Sequence, residues 1–216
     1  MNKLIKLSSI MLFATLALAL PSCKNGDSET NTEKDADKLN EEKFARSAET
    51  DAKYVVDAYT DGMIQIRMAE RVKGMLTTQD AKSVADMMIT EHTAMNNDMR
   101  ALATKKNISL PTELSKNQQD DIDDVAKKTG MDLDEKYLDK VVSMHRDAVD
   151  LCEKAVEKVT DPEIQTAFAT GLPKLRTHLD MVKAARDLVD GMDNNNAGNN
   201  NTKSNNMNNM NNMNRK

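Results

Sequence analysis

Three histidines are the residues of this chain best placed to do chemistry. His92, His145 and His178 are its only histidines, and each interrupts an apolar stripe that repeats at helical spacing. Gln65 interrupts a fourth stripe in the same way. At about 1.5 Å of rise per residue, all four polar side chains fall near the middle of a bundle built from these stripes. We therefore expect the imidazoles to meet in its interior.

Three neutral imidazoles with an open fourth position suit zinc or copper. Met88 and Met95 lie one turn either side of His92 and are candidate thioether ligands from the same helix. In the structural alternative, the imidazoles hydrogen-bond to one another, to Gln65 and to a water. Such a network would satisfy the buried polar groups and fix helix register without any ion. The sequence leaves both interpretations open.

The ligand count disfavours a di-iron oxidase or an iron store. Ferritin-like di-iron sites use a glutamate on each of two helices and a Glu-x-x-His pair on each of the other two. Here Ile89, Val142 and Leu175 stand three residues before the histidines, and no inward stripe offers a clear glutamate. The sequence also lacks the usual nucleophile, glycine-loop, zinc-protease and dithiol motifs. It therefore favours a protein that is not an enzyme.

Sulfur ligands are a weaker signal. Met207, Met210 and Met213 repeat within an asparagine-rich end, and this spacing resembles the Met-x-x-Met runs of copper-handling proteins. The compositional alternative is a repeat that only solubilises the end of the chain. Cys152 lies two turns from His145, roughly 10.5 Å along a straight helix, so the two cannot share an ion. We expect Cys152 to be a small core residue.

The composition implies that helices hold these side chains. With 7 glycines, 4 prolines, 16 methionines and 3% aromatic residues, the chain favours helices over a sheet. Turns are predicted at Thr77 and Thr78 and at Thr160-Asp161-Pro162, where a cap precedes a first-turn proline. The predicted helices span 45–76, 79–106, 115–129, 133–159 and 162–190.

The amino-terminal residues predict export and a lipid anchor. Residues 1–22 have the lysines, apolar stretch and small residues of a secretory signal peptide. Leu20-Pro21-Ser22-Cys23 resembles the lipobox of bacterial lipoproteins, in which the cysteine is acylated and becomes the first mature residue. Lys24 in the next position favours the outer membrane. We expect a cell-envelope protein that contacts the membrane through the lipid on Cys23.

Two polar segments flank the predicted bundle. Residues 23–43 and 192–216 have few large apolar residues and cannot offset their own ordering entropy, so we expect a flexible tether and a disordered tail. Residues 44–191 form the bundle between them. A net charge of -5 with interspersed signs lacks the basic stripe of nucleic-acid-binding proteins. We therefore expect no nucleic-acid partner.

Several segments between residues 50 and 186 resemble one bacterial family. They are Val84 to Pro111, Tyr137 to His145, Asp161-Pro162-Glu163 and, most specifically, Leu172 to Leu179. The resemblance is to domain-of-unknown-function family 4142, often labelled as outer membrane proteins. It implies a secreted protein with a ferritin-like bundle, and it matches all three histidines to those of the family. Where the family usually has glutamate this chain has Gln65, and the resemblance implies no reaction.

These observations predict an all-α protein, a ferritin-like antiparallel four-helix bundle with one short additional helix. The leading functional hypothesis is a lipid-anchored, non-enzymatic binding or stress-protective module of the cell envelope. The alternative is a protein that binds copper or zinc through the mid-bundle histidines.

Overall fold

The computed structural model describes residues 31–213, with side chains described for residues 31–192. No strand occurs in that part of the chain, so the all-α prediction is confirmed. A π-helical segment, Met88–His92, joins α3 and α4 into one continuous rod. The α-helices are α1 (Glu33–Lys43), α2 (Arg46–Val72), α3 (Gln79–Met87), α4 (Thr93–Lys105), α5 (Lys116–Ala126), α6 (Met131–Lys158) and α7 (Pro162–Met213).

Four long rods make the bundle: α2, the α3–α4 rod, α6 and the first half of α7. Both predicted turns are present and have local causes. The side-chain oxygen of Thr78 accepts from the backbone N–H of Ala81 and caps α3. Oδ1 of Asp161 accepts from the backbone N–H groups of Glu163 and Ile164, which caps α7 behind its first-turn proline. Short turns of this kind make consecutive rods antiparallel.

Each turn is also held by an aspartate from the opposite pair of rods. Asp134 of α6 is fully buried, and its carboxylate accepts from the backbone N–H groups of Thr77 and Thr78 at 2.9 and 2.6 Å. Asp51 of α2 accepts from the backbone N–H groups of Thr160 and Asp161, both at 2.9 Å. We call these two contacts the aspartate clasps. Because each carboxylate meets several donors, its burial is compensated.

Residues 33–43, part of the expected tether, form α1 in the structure and pack against α2. Ala36 is fully buried in this contact. Asn40 is also buried, and its side-chain amide exchanges two hydrogen bonds with the backbone of Ser109. The contact uses a methyl group and a satisfied amide rather than large apolar residues, so hydrophobicity alone did not reveal it. The bundle therefore has two short additional helices, α1 and α5.

The structure also differs from the expected disorder of residues 192–216, because α7 continues to Met213. An α-helix pairs its backbone N–H and C=O groups with one another, and no proline after Pro173 interrupts these hydrogen bonds. Met207, Met210 and Met213 lie in this extension, beyond the described side chains. None of the helices in the described part of the chain is both long and apolar enough to cross a membrane.

Candidate metal centre

The three histidines come from three different helical elements. His92 ends the π-helical segment, His145 lies in the middle of α6, and His178 lies one turn after Pro173 in α7. All three are buried, with exposures of 3%, 0% and 2%. Each offers a ring nitrogen, and these nitrogens all lie within 4.8 Å of one another. The sequence prediction that the imidazoles meet inside the bundle is therefore confirmed.

The histidines form a polar layer between two hydrophobic clusters. Along α6, Val142 belongs to one cluster and Ala148 to the other, with His145 between them. The same change of cluster occurs across His92 and His178. The ring centroids lie 5.2 to 5.8 Å apart in pairs. The apolar residues on either side fix the positions of the rings and shield them from water.

Hydrogen bonds set the orientation of two rings. Nδ1 of His145 lies 2.9 Å from the carbonyl oxygen of Val141, which can only accept. Nδ1 therefore carries the hydrogen, and Nε2 keeps its lone pair. Nε2 of His178 lies 2.9 Å from Oε2 of Glu91, and donation to this carboxylate leaves Nδ1 with a lone pair. Such outer partners commonly fix the tautomer of metal-binding histidines.

The free nitrogens have the spacing of metal ligands. Nδ1 of His178 lies 3.4 Å from Nε2 of His92, longer than the usual 2.7–3.2 Å of a nitrogen hydrogen bond. Two nitrogens bound tetrahedrally at about 2.05 Å from one ion lie roughly 3.3 Å apart. Nε2 of His145 is buried and has no hydrogen-bond partner within the described residues. His92 and His178 therefore have the spacing of two ligands of one ion, and a ring nitrogen of His145 lies within 4.8 Å of theirs.

The electrostatic surroundings keep two of these imidazoles neutral. Burial, together with the neighbouring His145 and His178, lowers the pKa of His92 to about 3. Burial also lowers the pKa of His145 to about 4, against the opposing effect of the Val141 carbonyl. Neutral imidazole is the form that binds a metal. Both residues are therefore in the metal-binding form near neutral pH.

Gln65 supplies a candidate fourth donor. It is 2% exposed, and its Oε1 has no hydrogen-bond partner within the described residues. Gln65 and His92 both line a cavity in the wall of the bundle. Of the two predicted thioethers, Met88 is completely buried in one hydrophobic cluster, whereas Met95 lines that cavity. Packing accounts for both methionines, because Met95 also packs against the other hydrophobic cluster.

Glu91 is the site residue that the sequence stripes missed. It directly precedes His92, so on a regular helix it lies about 100° away from the inward face. Its side chain is 46% exposed, yet it reaches across to His178 from the wider π-helical turn. π-Helical turns are rare and occur frequently at functional sites. In the sequence, only the position of Glu91 directly before His92 pointed to its place in the site.

A second group of possible ligands is exposed to a lysine side chain. Carboxylate oxygens of Glu33, Asp37 and Asp57 lie within 4.8 Å of one another. Lys53 forms ion pairs with Asp37 at 3.3 Å and with Asp57 at 2.9 Å. This group therefore has a cation of its own. Cys23, the predicted lipidation site, lies outside the described residues.

The fold and site define a class of protein, an all-α bundle with a histidine cluster buried at its centre. This chain belongs to the family described as Domain of unknown function (DUF4142), whose sequence model matches residues 36–185. The predicted family resemblance is thus confirmed, and the match begins within α1. No curated protein and no solved structure was found to match the chain.

Proposed function

We propose that this protein binds one transition-metal ion, zinc or copper, through His92, His145 and His178. The observation that carries the proposal is the convergence of three buried ring nitrogens, two of them with lone pairs set by outer hydrogen bonds. Imidazole ligands favour zinc and copper over magnesium and calcium, which prefer oxygen. Gln65 or a small molecule completes a four-coordinate site.

The structural alternative accounts less well for the unpaired atoms. In a purely structural network, the buried polar atoms would be paired with one another. Nε2 of His145 and Oε1 of Gln65 have no such partner among the described residues. A bound ion would satisfy Nε2 of His145. The absence of carboxylates from the cluster itself supports zinc or copper over a di-iron pair.

Elemental analysis of the full-length chain, prepared without an affinity tag or chelator, tests this proposal. We expect one zinc or copper ion per chain, and at least about 100-fold weaker binding when any one histidine is replaced by glutamine. Cys152→Ala and the combined replacement of Met207, Met210 and Met213 by leucine are the controls, because they remove other candidate ligands. Both should retain the ion.

Two results would contradict metal binding at this site. One is an ion whose affinity is unchanged by the histidine replacements. The other is the absence of a bound ion after reconstitution, combined with a loss of stability on replacement, because that pair of results indicates a structural network.

We further propose that the protein is a lipoprotein of the cell envelope, anchored through Cys23. The support is the signal-like segment 1–22 and its lipobox-like end. Metabolic labelling with an alkyne fatty acid should mark the wild-type chain and the Cys152→Ala control. The Cys23→Ala variant should not be labelled and should no longer occur in the membrane fraction. Equal labelling of the wild-type chain, Cys152→Ala and Cys23→Ala would contradict the anchor.

A further inference from the structure

A cavity of about 410 Å³ lies in the wall of the bundle beside the histidine layer. Residues of α2, α4, α6 and α7 line it, and Gln65 and His92 are part of that lining. Pockets that bind small organic molecules have volumes of roughly 300–1,000 Å³. The cavity therefore has room for much more than one ion.

Small residues keep this cavity open. Ala58 of α2, Ala148 of α6 and both Ala167 and Gly171 of α7 line it. A Cβ atom added at Gly171 would meet no atom within 4 Å, so larger side chains could occupy this space. Protein interiors are normally close-packed, because an empty cavity forfeits dispersion contacts. An occupant would restore those contacts.

The lining is mainly apolar and includes one aromatic ring. Met95, Met99 and Leu102 contribute from α4, and Phe168 and Leu175 contribute from α7. Methionine side chains adapt to differently shaped partners, and an aromatic ring interacts with apolar groups and with cations. This wall therefore suits an apolar or aromatic body.

One partly buried carboxyl group in the lining has no counter-ion. Asp61 has no hydrogen-bond or ion-pair partner among the described residues. Burial, followed by the negative charges of Asp57, Glu33 and Asp147, raises the pKa of Asp61 to about 7. Lys174 also lines the cavity, but it is exposed and is not among the charges that act on Asp61. A positively charged occupant would supply the missing partner.

We infer that the cavity binds a small organic cation, which combines an apolar or aromatic body with one protonated nitrogen. The body lies against the wall formed by α4 and α7, and the nitrogen donates a hydrogen bond to the carboxylate of Asp61. This inference goes beyond metal binding and does not depend on it, because Asp61 is not a member of the histidine cluster.

Two probes of similar shape test the inference on the metal-free, full-length protein. Phenylbutylamine carries the cation, and phenylbutanol has a neutral hydroxyl group in its place. In slightly alkaline buffer, where both the amine and Asp61 are charged, calorimetry should show roughly 10- to 100-fold tighter binding of the amine. Asp61→Asn should abolish this preference and leave the affinity for the alcohol unchanged. Asp98→Asn, an exposed carboxylate of the same lining, is the matched control and should retain the preference.

Gly171→Leu should fill the cavity and weaken binding of both probes by about tenfold or more. Equal affinity for the two probes, or a preference that survives Asp61→Asn, would overturn the inference. Binding of neither probe would overturn it as well. Because the protein is metal-free, these outcomes leave the histidine proposal unaffected, and a failure to bind zinc leaves this inference unaffected.

Discussion

Replacing Gly62 with alanine tests how closely α2 and α4 approach beside the cavity. The added Cβ would lie 2.0 Å from Oδ1 and 2.7 Å from Cγ of Asn96, so the buried amide must move. That movement breaks the 3.0 Å hydrogen bond from Nδ2 of Asn96 to the carbonyl of Tyr59. Together, the lost buried hydrogen bond and the crowding cost about 2–4 kcal/mol. Alanine recovers about 0.5–1 kcal/mol of helix propensity, so we expect a net destabilisation of about 1–3 kcal/mol.

The same substitution at Gly171 is the matched control. It also lies inside a helix, but its added Cβ meets nothing within 4 Å, so Gly171→Ala should stabilise by about 0.5–1 kcal/mol. Urea unfolding followed by circular dichroism measures both changes at unchanged m-value. In an Asn96→Ala background, Gly62→Ala should lose its penalty. Shifts of the same sign for both glycines, or a penalty that persists without Asn96, would refute this reasoning.

Three further predictions concern the site and the turns. Glu91→Ala should weaken zinc or copper binding by about 10- to 100-fold in a competition titration, because it removes the outer partner of a ligand; unchanged affinity would contradict that role. Asp134→Asn should lower the free energy of unfolding measured in urea by about 2–4 kcal/mol, because a neutral amide replaces the charged acceptor of the backbone N–H groups at the α2–α3 turn. An effect below about 0.5 kcal/mol would mean that this clasp is dispensable. In metal-free protein, the lowered pKa values of His92 and His145 mean that only the unfolded chain binds their protons between about pH 6.5 and 4. Their stabilising contribution is therefore complete above pH 6.5 and is lost as the pH falls, by about 1.4 kcal/mol per unit for each histidine. Urea unfolding measured at several pH values should show this dependence in an Asp61→Asn background, in which the opposing titration of Asp61 is removed. The dependence should be absent when both histidines are replaced by glutamine.

Much of the fold was predictable because its main signals are local. Apolar spacing marked the long helices, and capping residues marked their turns at Thr78 and Asp161. The meeting of the histidines followed from the same spacing, since residues at equal depth in antiparallel helices must lie in one layer. The proposal of an ion rather than a hydrogen-bonded network depends on which ring nitrogens have partners, and the sequence does not show this.

The features that the sequence did not reveal depend on contacts between distant segments. α1 docks through Asn40 onto the backbone of Ser109, 69 residues away, and a polar side chain gives no apolar signal for such a contact. Glu91 joins the site because a π-helical turn changes the direction of a residue that neighbours the inward stripe. The unpaired carboxyl of Asp61 could be recognised only once the residues that surround the cavity were known.

The aspartate clasps have a consequence for how the molecule opens. Each turn donates hydrogen bonds to a carboxylate from the opposite pair of rods, so fraying at either end of the bundle would break charged hydrogen bonds between the two pairs. We therefore expect the two pairs of rods to unfold together, as one cooperative unit. Amide hydrogen exchange near the two turns should accordingly proceed through global unfolding, at the same rate as exchange in the centre of α6.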